Sequence, residues 1–171
     1  MRITVERPSE EEVHRLTSKY GKPMVREFHI DLRDRDEIQD YPECKGGTRI
    51  GIKLDDGIVL VRSRKGGVFG LPGGRIWADE SVEDGAIREV KEETGLTVEL
   101  RGLPEIQKCQ YLFKNWNLER WIFVFIADVL SGTLEPTDKA EIGKAAVFQE
   151  PPSDYGQDHW LRDIWNECLS P

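Results

Sequence analysis

Hydrophobic residues recur along this chain with two alternating periods, and the switches between them mark its elements. Ser9, followed by Glu11, Glu12, Val13 and Leu16 and closed by Gly21, predicts a short capped helix with apolar positions three apart. Phe28, Ile30 and Leu32 alternate with polar neighbours, as do Ile50, Ile52 and Leu54, and each set predicts a half-buried strand. Asp56-Gly57 predicts a tight turn into Ile58 to Val61, so the second strand and its successor form a hairpin.

Gly66, Gly67, Gly70, Pro72, Gly73 and Gly74 then interrupt regular structure before a helix that starts near Ser81 and ends at Gly95. Val98 to Leu100, Lys108 to Phe113 and Arg120 to Val129 predict further strands, with Val147-Phe148 as one more short strand. Beyond Pro151-Pro152, a final helix carries Trp160, Leu161, Ile164, Trp165 and Leu169 on one face, which is expected to dock on the sheet. Strands before and after a central helix, closed by a terminal helix, imply a layered α/β domain.

At 171 residues with 38% hydrophobic content, the chain fits one ordinary domain with modest decoration, large enough to need no crosslink. Cys44, Cys109 and Cys168 are odd in number and lack C-x-x-C spacing, which argues against a disulfide framework or a zinc ribbon. The charged start, MRITVERPSEEE, lacks the apolar segment of a signal peptide, so a cytoplasmic location is expected. The longest apolar stretch, Trp121 to Leu130, contains Asp128 and falls well short of the roughly 20 residues of a membrane span. A net charge of −8 disfavours broad contact with a nucleic-acid duplex, and an anionic substrate would need local cations.

The most informative segment is GRIWADESVEDGAIREVKEETGL, Gly74 to Leu96. Glu89, Glu92 and Glu93 stand at i, i+3 and i+4, so their side chains leave one helix face within roughly 6 Å along the axis. Like charges at this spacing destabilise a helix by a few tenths of a kcal/mol each, so the cluster needs a compensating cation. Arg88 supplies part of it. Magnesium, a hard ion that takes carboxylates together with substrate phosphates, suits the rest. Gly73 and Gly74 let backbone approach a phosphate closely, just before a helix N-terminus whose free amides favour negative charge. Glu80, before the helix, is placed to reach the metal or take a proton from water. The ordinary reading of a Glu- and Lys-rich helix is a solvated face.

The spacing overrides that reading. Gly74, Glu80, Arg88, Glu89, Val90, Glu92, Glu93, Gly95 and Leu96 fill all nine fixed positions of the Nudix signature, G-x5-E-x7-R-E-U-x-E-E-x-G-U. The chain therefore resembles the Nudix hydrolases, and Leu71-Pro72 ahead of the glycines is similar to that family's approach to its motif. The resemblance implies an α/β/α sandwich with a mixed β-sheet over residues 46–171, and leaves residues 1–45 as an N-terminal extension with a short helix and strand. It implies Mg2+ or Mn2+ held by Glu89, Glu92 and Glu93 with the backbone of Gly74, while Arg88 orients a carboxylate and Glu80 supports the metal or acts as a base. The implied reaction is hydrolysis of a pyrophosphate bridge in a nucleoside diphosphate derivative, giving a nucleotide and X-phosphate.

The general base varies within the family, and Glu141 is the downstream candidate, with a solvated turn as its alternative. For the substrate, Trp77 and Trp116 in expected loops and Tyr111 on an expected strand are candidate stacking partners for a base, an interaction worth roughly 1–3 kcal/mol. The proline common in ADP-ribose hydrolases is absent, with Gln110 and Tyr111 in its place, and a tyrosine there resembles diadenosine-polyphosphate hydrolases. ADP-ribose and nucleotide sugars, dinucleoside polyphosphates and modified nucleoside triphosphates all stay open. The expected partner is a small nucleotide; the family resemblance also implies a homodimer through the N-terminal segment. The competing reading is a non-catalytic nucleotide-binding or regulatory module.

Overall fold

The computed structural model describes residues 1–35, 38–153, 155 and 159–171. In chain order its elements are β1 (Arg2–Glu6), α1 (Glu10–Tyr20), β2 (Met24–Asp31), β3 (Cys44–Leu54), β4 (Gly57–Ser63), β5 (Arg75–Trp77) and α2 (Val82–Thr94). They continue with β6 (Leu96–Leu112), β7 (Trp116–Gly132), β8 (Ile142–Phe148) and α3 (His159–Leu169). The strands form one mixed sheet in the order β2-β6-β7-β3-β4-β8, with β1 added to β7 and β5 to β3. β2 on β6, and both β1 and β3 on β7, run parallel, whereas β6-β7, β3-β4 and β4-β8 run antiparallel.

Strict alternation along β7 builds the two faces of the sheet. Trp121, Phe123, Phe125 and Ala127 join one core with Leu16 of α1 and Val82, Ala86 and Val90 of α2. Ile122, Val124 and Ile126 join a second core with Trp160, Leu161, Ile164 and Trp165 of α3. The result is the expected α/β/α sandwich, with α1 and α2 on one face and α3 on the other.

Three departures from the sequence expectations have local causes. The strands expected at 98–100 and 108–113 are one strand, β6, whose register against β7 shifts three times between Thr97 and Glu105. Gly102 and Pro104 lie in that shifted region; they bulge the strand rather than end it, the position in which a sheet tolerates proline. The β3-β4 turn is Asp55-Asp56, one residue earlier than expected. Asp55 takes the positive φ of 55°, which aspartate tolerates better than most residues, while Gly57 lies where a Cβ would come within 2.5 Å of the Phe148 carbonyl oxygen. β1 was not expected, because its apolar residues Ile3 and Val5 are the exposed ones and Glu6 is the buried one. No described helix is long and apolar enough to cross a membrane.

Candidate functional site

Helix α2 is fixed at both ends before its carboxylates do anything. The Ser81 hydroxyl caps it by accepting from the Asp84 N–H at 3.0 Å, and Glu12 of α1 accepts from the Val82 N–H at 3.0 Å. Gly95 ends it in the left-handed conformation at φ 77°, its N–H donating to the Lys91 carbonyl. With Val82, Ala86 and Val90 in the core, the helix can rotate very little, and this sets where Glu89, Glu92 and Glu93 point.

Arg88 gathers the carboxylates. Its Nε and Nη2 donate to Glu80 at 3.0 and 2.7 Å, and its Nη1 donates to Glu89 at 3.0 Å and Glu92 at 3.2 Å. Nη2 also reaches the Arg75 carbonyl at 2.8 Å, which ties α2 to β5. Glu93 turns inward, only 6% exposed, and accepts from the Gly73 N–H at 2.8 Å. A side chain at Gly73 would put its Cβ 2.0 Å from the Thr48 carbonyl oxygen, so glycine alone lets that N–H reach the carboxylate. At Gly74 a Cβ would collide with the Glu89 carboxyl carbon at 2.5 Å, which places that carboxylate directly on the loop backbone.

These groups border a cavity of about 540 Å³. One wall carries Gly73, Gly74, Arg88, Glu89 and Glu92, and the loop after β7 adds Asp138 and Glu141. That loop is docked on the helix end, since the Thr137 and Asp138 N–H groups both donate to the Glu92 carbonyl, at 3.0 and 2.9 Å. The remaining lining includes Arg49, Arg75 and Arg120 together with Trp77 and Tyr111. The Arg75 guanidinium lies 4.1 Å from the Tyr41 ring centre and 5.3 Å from that of Trp77.

Of the residues singled out in the sequence, Gly73, Gly74, Arg88, Glu89, Glu92, Glu141, Trp77 and Tyr111 meet at this cavity. Glu93 lies buried behind Gly73. Glu80 is taken up on the far side of Arg88, its Oε1 also accepting from the Trp77 N–H at 2.9 Å, so it braces the guanidinium rather than lining the cavity. Trp116 does not reach the cavity. It is 5% exposed and stacks on Phe113 at 4.5 Å, closing the β6-β7 turn in a small core with Leu32 and Leu118. Arg75, Arg120 and Asp138 were not expected. Arg120 had a faint signal, a cation between Leu118 and Ile122 on one face of an apolar strand.

Burial and neighbouring carboxylates raise these groups, while Arg88 and backbone N–H groups oppose them. Burial, with the nearby charges of Glu89, Glu141 and Glu92, pushes Glu93 up to about 8 despite the Gly73 N–H. Burial also raises Glu89, against the pull of Arg88 and with Glu92 and Glu141 adding to it. Glu80 is lowered, because hydrogen bonds from Arg88 and the Trp77 N–H outweigh its burial. The side chains as placed direct their oxygens to Arg88 and Gly73, and no group of three His, Cys, Asp or Glu stands at coordinating distance among the described residues. The donor chemistry nevertheless fits a hard divalent cation: oxygen ligands from one helix face, mutually repelling and partly buried beside a cavity of small-molecule size.

Residues 48–162 match the NUDIX domain family model. An ADP-ribose pyrophosphatase of Methanocaldococcus jannaschii is 33% identical over 93 residues, an alignment covering 53% of this chain and about half, 54%, of that protein. YvcI, an uncharacterized Nudix hydrolase of Bacillus subtilis, is 29% identical across 72% of this chain and 71% of its own. The crystal structure of a MutT NUDIX hydrolase from Burkholderia pseudomallei superposes with a TM-score of 0.55 at 23% identity, over 70% of this chain and 94% of that one, a likeness of fold.

Proposed function

The chain belongs to the NUDIX domain family, and we propose that it is a magnesium-dependent hydrolase that cleaves the pyrophosphate bridge of a nucleoside diphosphate derivative. The observation that carries this is that one cavity is lined both by the Glu89 and Glu92 carboxylates and by Arg49, Arg75 and Arg120. In a protein of net charge −8, arginines gathered beside carboxylates suit a substrate whose phosphates bridge a bound cation and protein cations.

Glu89, Glu92 and Glu93, with the Gly74 backbone, are the groups that would hold the ion. When bound there, Mg2+ would supply charge neutralisation for the phosphate oxygens and the leaving group. The chain's own residues do the rest. Arg88 holds Glu89 and Glu92 in place through its bonds to both. Arg49, Arg75 and Arg120 draw the phosphate chain, and Trp77 offers a ring for a base or sugar. Glu141 is our candidate base for the attacking water, being exposed, on the cavity rim and close enough that its charge raises both Glu89 and Glu93.

ADP-ribose heads the substrates to test, followed by nucleotide sugars, dinucleoside polyphosphates and oxidised nucleoside triphosphates, each with and without magnesium. Nucleotide and the matching X-phosphate released from one class only when magnesium is present is the expected result. Nucleotide binding without turnover of any class would replace the hydrolase reading with a regulatory module.

A further inference from the structure

The family match begins at residue 48, yet two arginines of the cavity wall are held by side chains that precede it. Glu6, the last residue of β1, is 1% exposed, and its carboxylate accepts from Arg120 Nε and, at 3.0 Å, from the Tyr41 N–H. Arg120 Nη2 donates to the Gln39 carbonyl at 3.3 Å, and among the described residues its Nη1 donates to no protein group. The Glu6 contact to its N–H anchors the main chain of Tyr41, whose ring is the one that Arg75 lies on. A carboxylate this deeply buried is costly unless its partner is fixed, so the pair holds the guanidinium in one orientation.

We propose that Glu6 is a positioning residue for substrate. It fixes the Nε edge of Arg120 while the Gln39 carbonyl takes Nη2, leaving Nη1 for a phosphate of a nucleoside diphosphate in the cavity that Arg120 lines, and through Tyr41 it steadies Arg75 beside it. The N-terminal segment thereby completes the phosphate site from outside the matched domain. This rests on the reading of the cavity as a nucleotide site, and it requires binding rather than turnover.

The test is equilibrium binding of ADP to metal-free protein at low ionic strength, with melting temperatures recorded alongside. Glu6→Gln is expected to weaken ADP about tenfold, the loss of one charge-assisted contact. Arg120→Gln should weaken it at least as much, and Glu6→Gln, whose amide oxygen can still accept from the Tyr41 N–H, should add less than about twofold in the Arg120→Gln background. Tyr41→Leu keeps the backbone contact to Glu6, leaves no buried charge unpaired, and is expected to weaken ADP about threefold through Arg75. It serves as the independent variant if Glu6→Gln does not fold. Unchanged ADP affinity in the folded variants, with only a lower melting temperature, would make the contacts purely structural and overturn the proposal. So would a full, additive effect of Glu6→Gln without Arg120, or no ADP binding by the unaltered protein. A protein that binds ADP in this pattern but hydrolyses nothing refutes the hydrolase reading and leaves Glu6 as a positioning residue.

Discussion

The carboxylate cluster and the arginine cluster at the cavity are built by different means. Glu89, Glu92 and Glu93 come from consecutive turns of one helix, so their juxtaposition follows from helix geometry once the helix is capped. The other set collects Arg49 from β3, Arg75 from β5 and Arg120 from β7, and two of them are steadied by Tyr41 and Glu6. That set exists only after the sheet has assembled. The first is the proposed metal site, which a short local stretch can carry; the second is the proposed phosphate site, which needs the rest of the chain.

The contrast is sharpest in the effects of substitution. Glu93→Gln and Glu92→Gln are expected to lower turnover by at least about a hundredfold while the fold survives, since each removes a proposed metal ligand. Rates near normal in both would remove the carboxylate cluster from the chemistry. Arg88→Gln comes next, with a loss of tens-fold in turnover, because Glu80, Glu89 and Glu92 all lose the cation that orders them. Beside the arginine cluster, Trp77→Leu should instead raise KM about fivefold or more with little change in kcat, as expected when a stacking surface is lost. An equal fall in kcat would place Trp77 with the carboxylate cluster. The smallest effect on activity belongs to Trp116. Trp116→Ala should leave KM within about twofold yet cost roughly 3–5 kcal/mol of stability, read from denaturant unfolding, because the ring is buried against Phe113.

The same division explains what could be read from the sequence. Helices α1, α2 and α3 and the β3-β4 hairpin were legible because their apolar period and caps are local. β5 was not, being three residues long and defined by its pairing with β3. β1 was hidden by an inverted pattern, in which Glu6 is buried because Arg120, more than a hundred residues away, receives it. Trp116 looked accessible in a turn signalled by Lys114 and Asn115, and nothing nearby in the chain announced that Phe113 would stack on it. The carboxylate cluster was legible almost in full; the arginine cluster was not, because Arg49, Arg75 and Arg120 lie on three strands that only the assembled sheet brings to one cavity.

Most direct is a melting series on metal-free protein across pH, with and without added magnesium, for the unaltered chain and Glu93→Gln. Glu93 titrates near 4.5 when unfolded and is raised to about 8 in the fold. Its contribution is therefore fully present below about pH 4.5 and is lost as pH rises through about 8. Glu89 shifts in the same direction, while the lowered Glu80 and Glu83 exert their opposite effect only below about pH 4.5. The account predicts that magnesium, which requires the ionised carboxylates, raises the melting temperature more at about pH 8.5 than at about pH 5.5. It also predicts that this gain largely disappears in Glu93→Gln. Equal gains in the two proteins, or none in either at any pH, would contradict a metal site on the carboxylate face of α2.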